Sequence, residues 1–385
     1  MFNFLKIEIN SSRIYGLDIL RAFAILFVVL DHSKHTLQNS NSEIISGISQ
    51  SYSWYIRYLV FDGVSIFFVL SGFLIGSILI KTFDRGDLSF KSLVNFWIKR
   101  WMRTLPNYLF ILSLLILLST IYSKNFNFQD AMPYYFFIQN FSSPHPGFFP
   151  EAWSLSVEEW FYLLIPSAIL SFSLILRSSF KKILILIAFF VLISSTMIRY
   201  YYDYNGLVSS HEAWSLLLRK QVITRLDSLM YGLIGAYFFY FKNEVWCRYS
   251  RYLFLAGILM LVLDKYIILF HPNLSYLYKN VFSFSVTSLA VLFLLPLFES
   301  IRYGEGFLYS ILTYISIISY SMYLLNLSMM QDWIFRPLPF FIHNPTILAI
   351  SKFILYWLLT FFLSFVMYKL IELPFMNMRR YLTIK

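Results

Sequence analysis

Apolar runs of roughly 20 residues recur through the whole chain, and a helix of that length is what it takes to cross a bilayer core about 30 Å thick. Inside hydrocarbon every backbone N–H and C=O must bond within the segment, so such runs read as helices. Hydropathy places ten spans, near 16–36, 54–80, 104–123, 152–175, 182–198, 222–241, 252–270, 279–298, 308–330 and 346–370. The sequence therefore predicts an all-α, polytopic membrane helix bundle of about ten transmembrane helices. It forms one domain over 1–385, with 371–385 as a cytoplasmic tail and no stretch left for a soluble domain. The composition agrees: 58% of the residues are hydrophobic and 13% charged, outside the range of soluble domains. Lys6 and Arg13 ahead of the first apolar run resemble a signal peptide. That run carries Asp18 and Arg21 and shows no small-residue cleavage site, so it reads as a retained first helix.

The net charge of +11 points first to nucleic acid, but the basic residues sit in short segments between apolar runs, where topology places them. No nucleic-acid partner is expected. With the amino terminus in the cytosol, one inside segment collects Lys81, Arg85, Lys91, Lys99, Arg100 and Arg103, and later ones collect Arg177, Lys181, Lys182, Lys242, Arg248 and Arg251. That bias puts both termini in the cytoplasm of a multi-pass protein of the cell's inner, or plasma, membrane. All six histidines (His32, His35, His145, His211, His271 and His343) then fall at outer helix ends or in outer loops. The lone Cys247 excludes an internal disulfide.

Ionisable residues inside a span are costly and mark a pathway or a site. The first span, GLDILRAFAILFVVLDHS, carries Arg21 and His32 about 16 Å apart along the axis, one deep toward the cytosol and one near the outer surface. An interfacial His and a locally satisfied Arg account for the same spacing. In FDGVSIFFVLSGFLIG, Gly72 and Gly76 stand four apart, a spacing that favours close helix packing. FWIKRWMRTLPNYLF puts Lys99, Arg100 and Arg103 at the inner mouth of the third span. Guanidinium forks suit phosphate oxygens, and positive-inside topology explains the cluster equally. EAWSLSVEEWFYLLIP places Glu158 and Glu159 about 100° apart around one helix, which leaves open which of them faces the bundle interior. A pairing of either with Arg225, in ITRLDSLMYG, would be structural.

These blocks together resemble membrane acyltransferase family 3, whose members O-acylate sugars and other extracytoplasmic acceptors. The likeness rests on the Arg21 to His32 spacing after GLD, GVSIFFVLSGFLI at 63–75, KRWMRTLP, AWSLSVEEWFYLLIP and RLDSLMYG at 225–232, with weaker ISYSMYLLNL at 318–327 and IELPF at 371–375. The resemblance implies an acyl-CoA donor, usually acetyl-CoA, no metal, and an acceptor hydroxyl on a lipid-linked or surface polysaccharide such as O-antigen or exopolysaccharide. It implies that His32 is the general base, a role that a neutral imidazole near pH 7 suits. Arg21 is implied to handle the donor deep in the bundle, and Glu158 to orient His32 or hold the acceptor. Lys99, Arg100 and Arg103 would hold donor phosphates, and Trp153, Ser154 and Arg225 the acceptor.

Two positions depart from the family pattern: Asn326 stands where members often have His, and Leu373 where they usually have Arg. Some members carry a fused soluble hydrolase-like domain, for which the chain after the tenth span is too short. A ten-span transporter or flippase with buried Arg, His and Glu is the rival from another class. A metal site built on Asp31, His32 and His35 lacks a convincing further ligand set.

Overall fold

The structure is a computed structural model that describes residues 13–38, 43–85, 87–123, 126–270, 276–337, 342 and 344–382; Lys6, His271 and His343 lie outside them. Its principal helices are α1 (Tyr15–Ser33), α2 (Glu43–Leu59), α3 (Gly63–Asp84), α4 (Phe90–Tyr122), α5 (Ala152–Ile175), α6 (Phe180–Tyr204), α7 (Val222–Phe241), α8 (Ser250–Phe270), α9 (Ser283–Ser300), α10 (Gly306–Leu325), α11 (Pro345–Met367) and α12 (Leu373–Leu382). Among the described residues there is no strand. Eight helical stretches are long and apolar enough to cross a membrane, which makes this a multi-pass bundle. A helix also stands at the two remaining predicted positions, α1 and α7, both of which carry charges, Asp18, Arg21 and Asp31 on the first and Arg225 and Asp227 on the second.

Three predicted boundaries shift for local reasons. The second span starts at Gly63, because Asp62 caps α3 by accepting from the Val64 N–H (3.2 Å) and the Ser65 hydroxyl (2.7 Å); residues 54–59 belong to α2. The third helix starts at Phe90, capped by Ser89, so its 33 residues extend about 50 Å and carry Lys91, Lys99, Arg100 and Arg103 on the helix itself. Hydropathy misses this half because it is polar, although it is helical. Residues 371–382 are helical and packed on the bundle. The chain leaves α11 through a π-helical turn, Tyr368–Glu372, and Glu372 is buried, accepting from Asn107 Nδ2 (3.2 Å) and Ser321 Oγ (3.1 Å) before α12 packs on α4.

At the centre α3 and α7 meet backbone to backbone. A Cβ on Gly72 would lie 2.0 Å from the Leu229 carbonyl oxygen, and one on Gly232 would lie 2.0 Å from that of Val69. The packing role read from the glycine spacing is thus met by reciprocal glycines on the partner helix. Behind α7, the fully buried Arg199 and Asp227 pair at 2.8 Å; Arg199 also donates to the carbonyls of Thr224 (2.6 Å) and Val281 (2.9 Å). Those bonds tie α6 and α7 to the π-helical turn, Tyr278–Phe282, that leads into α9, and compensate a charge that would otherwise be prohibitive in hydrocarbon.

Gly72→Leu should force α3 and α7 apart at a cost of roughly 1–3 kcal/mol or more. Thermal unfolding in detergent will show a clearly lowered Tm for that variant. Gly147→Ala, where no atom lies within 4 Å of the added Cβ, will leave it unchanged.

Candidate active site

Two cavities lie along α1, one near each end. The first, the arginine cavity, has a volume of about 80 Å³ and is lined by Arg21, Ser71, Arg100, Arg103, Thr104, Ser154, Glu158, Tyr162 and Tyr320. The second, the histidine cavity, has a volume of about 420 Å³ and is lined by Asp31, His32, Arg57, Asp62, Glu151, Trp153, Trp214, Arg219 and Lys220. Val64 and Tyr323 line both, so the two spaces adjoin across them. The helical spacing of Arg21 and His32 thus puts one residue in each.

His32 is held from α10. Asn326 donates its amide nitrogen to the carbonyls of Met322 (2.9 Å) and Tyr323 (2.8 Å), so its Oδ1 is the atom that faces His32 Nδ1, with which it is in hydrogen-bond contact. An oxygen acceptor there requires the Nδ1–H tautomer and leaves the lone pair on Nε2. Gln331, in the π-helix Ser328–Phe335, donates to the His32 carbonyl (2.9 Å). The residue that marks a departure from the family pattern is therefore the one that orients the imidazole, by the amide hydrogen bonding that could replace a histidine there.

Glu158 is not that partner. Its carboxylate lies in the arginine cavity, accepting from Ser71 Oγ (2.8 Å) and Tyr162 OH (2.9 Å), while the Arg100 guanidinium stands 5.3 Å above the Tyr162 ring. Glu159 turns instead toward α4, accepting from Thr104 Oγ1 (2.9 Å) and Trp101 Nε1 (3.1 Å). Neighbours on a helix diverge in the same way at Trp153 and Ser154: the indole lines the histidine cavity and the hydroxyl the arginine cavity. Ser154 Oγ donates to Tyr323 OH (2.6 Å), which donates to the Glu151 carbonyl (3.0 Å).

Arg225 lines neither cavity. It is fully buried against Ser65 (2.9 Å), Asp62 (4.0 Å) and the faces of Phe68 and Phe284, so it pairs with neither Glu158 nor Glu159. Lys99 lies in a separate cavity of about 280 Å³ with Arg85 and Asn95; Arg100 lines both that space and the arginine cavity. The suggested metal set does not converge: Asp31 pairs with Lys34 (2.7 Å), and His35 lines another cavity, with Gln331 and Asp332.

Four cavity residues escape a reading of the sequence. Trp214 and Arg219 lie five apart on a π-helix, Trp214–Arg219, and so carry no 3.6-residue signature. Tyr323 is hidden in a run of apolar residues. Glu151, the first letter of the fourth-span block, looks like an ordinary helix-start acid. Its Oε1 accepts from Ser328 N (3.2 Å) and Oγ (2.6 Å), its Oε2 is buried without a partner, and burial pushes its carboxyl up from 4.5 to about 7.

The bundle thus holds a buried, oriented imidazole in one cavity and clustered guanidinium groups in the adjoining one. The acyltransferase domain family, acyltransferase family 3, matches residues 14–369, and the chain belongs to it. It is 32% identical to "Putative peptidoglycan O-acetyltransferase YrhL" of Bacillus subtilis over 50% of this chain and 29% of that one. It is 25% identical to "Putative O-acetyltransferase SACOL0978" of Staphylococcus aureus over 94% of this chain and 57% of that one. It is 32% identical to O-acetyltransferase OatA of S. aureus over 40% and 24%. The chain thus spans less than two thirds of the length of these relatives. No solved structure matches it significantly. Membership of an acyltransferase family displaces the transporter reading.

Because the folded state favours protonated Glu151, its contribution to stability is complete below about 4.5 and is lost as pH rises through about 7, a swing of roughly 3 kcal/mol. Melting curves from pH 4.5 to 8 should therefore fall less steeply for Glu151→Gln than for the parent protein.

Proposed function

We propose that this protein is an O-acyltransferase that moves an acetyl group from cytosolic acetyl-CoA to a hydroxyl of an extracytoplasmic carbohydrate. The observation that carries this reading is the adjacency of the two cavities: a guanidinium-lined space on one side of Val64 and Tyr323, and an oriented imidazole on the other. All ten helices cross the membrane with both termini in the cytoplasm, so the arginine cavity opens inward and the histidine cavity outward in the inner (plasma) membrane.

Arg100 and Arg103 hold the donor's phosphates, since guanidinium forks match phosphate oxygens bidentately. Lys99, in the neighbouring space, extends the basic path. Arg21 meets the pantetheine amides or the thioester end. His32 Nε2 takes the proton of the acceptor hydroxyl as its oxygen attacks the thioester carbonyl. The tetrahedral adduct then breaks its C–S bond, and the thiolate leaves with the proton returned from the imidazolium. Atoms and charge balance within a ternary complex, and no nucleophilic Ser or Cys is needed. Glu158, bonded to Ser71 and Tyr162, positions the donor side, and Trp153 lines the acceptor side. The name of the B. subtilis relative points to peptidoglycan as one such acceptor; O-antigen and exopolysaccharide present the same hydroxyl chemistry.

Transfer of labelled acetyl from acetyl-CoA to a membrane glycan fraction tests the reading. At matched expression His32→Ala should lose about 10²–10⁴-fold in rate, as removal of a general base does. Unchanged incorporation would remove His32 from the chemistry. Arg103→Gln should raise KM for acetyl-CoA more than it lowers kcat, whereas Asn326→Leu, which frees the imidazole to rotate, should lower kcat with KM for the donor held.

A further inference from the structure

The charges around the histidine cavity do not cancel. Asp31 is neutralised by Lys34 at 2.7 Å. Asp62 stands opposite two guanidinium groups, Arg219 at 3.6 Å and Arg225 at 4.0 Å, so one cation there is in excess. Glu151 is the third acid in the wall, and its raised pKa leaves it largely uncharged below neutral pH. Against these, Arg57 and Lys220 line the same cavity, and neither has an ion-pair partner among the described residues. Burial and the nearby Arg219 together hold the Lys220 ammonium below its ordinary pKa, a strain that an incoming anion would relieve.

The same wall carries aromatic rings whose faces are taken by neighbours of the protein itself. The Trp153 ring lies under the Arg219 guanidinium at 5.5 Å, and Trp214 stacks between His211 and Phe284, at 5.5 Å from each. The Trp214 Nε1–H is buried with no acceptor, an orphaned donor on the edge of the cavity. The π-helix places Trp214 and Arg219 on this wall together, where a regular helix would rotate them apart. A spare N–H donor beside uncompensated cations is the chemistry that recognises an oxygen-rich ligand carrying a negative charge.

We infer that the acceptor is an anionic carbohydrate, whose carboxylate or phosphate docks on Arg219, Lys220 and Arg57 while a sugar oxygen accepts from the Trp214 Nε1–H. The inference rests on the acyltransferase reading for the acceptor's being a carbohydrate, but the binding it describes is measurable without turnover. The order of parts follows: the anion anchors the sugar on the π-helix side, and a neighbouring hydroxyl is presented across the cavity to His32.

The test uses the full chain in nanodiscs of neutral lipid, with three oligosaccharides of equal length at low salt: one neutral, one bearing a uronic carboxylate, one bearing a phosphate monoester. At least one charged ligand should bind about tenfold or more tighter than the neutral one, and added salt should erode that advantage. The Arg57→Gln, Lys220→Gln double variant, at polar positions outside the packed core, should lose most of the advantage while its affinity for the neutral ligand and its Tm stay put. Which of the two charged ligands wins separates carboxylate from phosphate. Equal affinity for all three, no measurable binding of any, or an advantage that survives in the double variant overturns the inference. Coenzyme A release and acetyl transfer, measured in parallel, keep the two claims apart. Transfer to neutral and charged glycans with equal efficiency leaves the acyltransferase and removes the anion site. Charge-selective binding without transfer does the reverse.

Discussion

A charge placed among apolar helices must be enclosed by protein and given a partner, and most of the architecture follows from that requirement. Arg199 is the plainest case: fully buried, it takes Asp227 and the Thr224 carbonyl from α7 and the Val281 carbonyl from the turn that leads into α9, and in doing so fixes how these segments stand together. Arg225 is held by Ser65, Asp62 and two aromatic faces at the seam between α3 and α7. The two helices that fall short of a simple apolar criterion, α1 and α7, are those that need the rest of the bundle around them.

Close packing makes such enclosure possible. The reciprocal contacts of Gly72 and Gly232 bring α3 and α7 together without side chains between them, and Gly63 sits against the Ala24 carbonyl of α1 in the same way, 2.2 Å from where its Cβ would be. With α1, α3 and α7 this tight, the free volume beside α1 lies toward its two ends. It forms two cavities whose shared wall, among the described residues, is Val64 and Tyr323. The chemistry is divided along that line, with guanidinium groups on one side and the imidazole on the other.

Departures from the regular helix recur at these places. Trp214–Arg219 and Ser328–Phe335 are π-helical; the first supplies Trp214 and Arg219 to the histidine cavity, and the second supplies the Ser328 that holds Glu151 and the Gln331 that holds the His32 carbonyl. Tyr368–Glu372 similarly turns Glu372 inward to Asn107 and Ser321. Each wider turn redirects a side chain that a 3.6-residue repeat would aim elsewhere.

The all-helical, membrane-spanning class, the family and the separation of Arg21 from His32 were determined by the sequence alone, because bilayer thickness and helical rise translate residue counts directly into distances. The glycine seam was legible for the same reason. Which acid meets which base was decided only by the tertiary structure. Glu158 and Glu159 are one residue apart, and nothing local says that the first joins the arginine cavity while the second turns to Trp101 and Thr104. Asn326 stands out in the sequence only as a departure from the family pattern; its two carbonyl acceptors are what turn the amide oxygen toward His32. Arg219 and Trp214 carried no periodic signal at all, since π-helical spacing matches no amphipathic pattern. Pairings across helices depend on rotation and crossing of segments far apart in the chain, and these are set by packing that no single segment encodes.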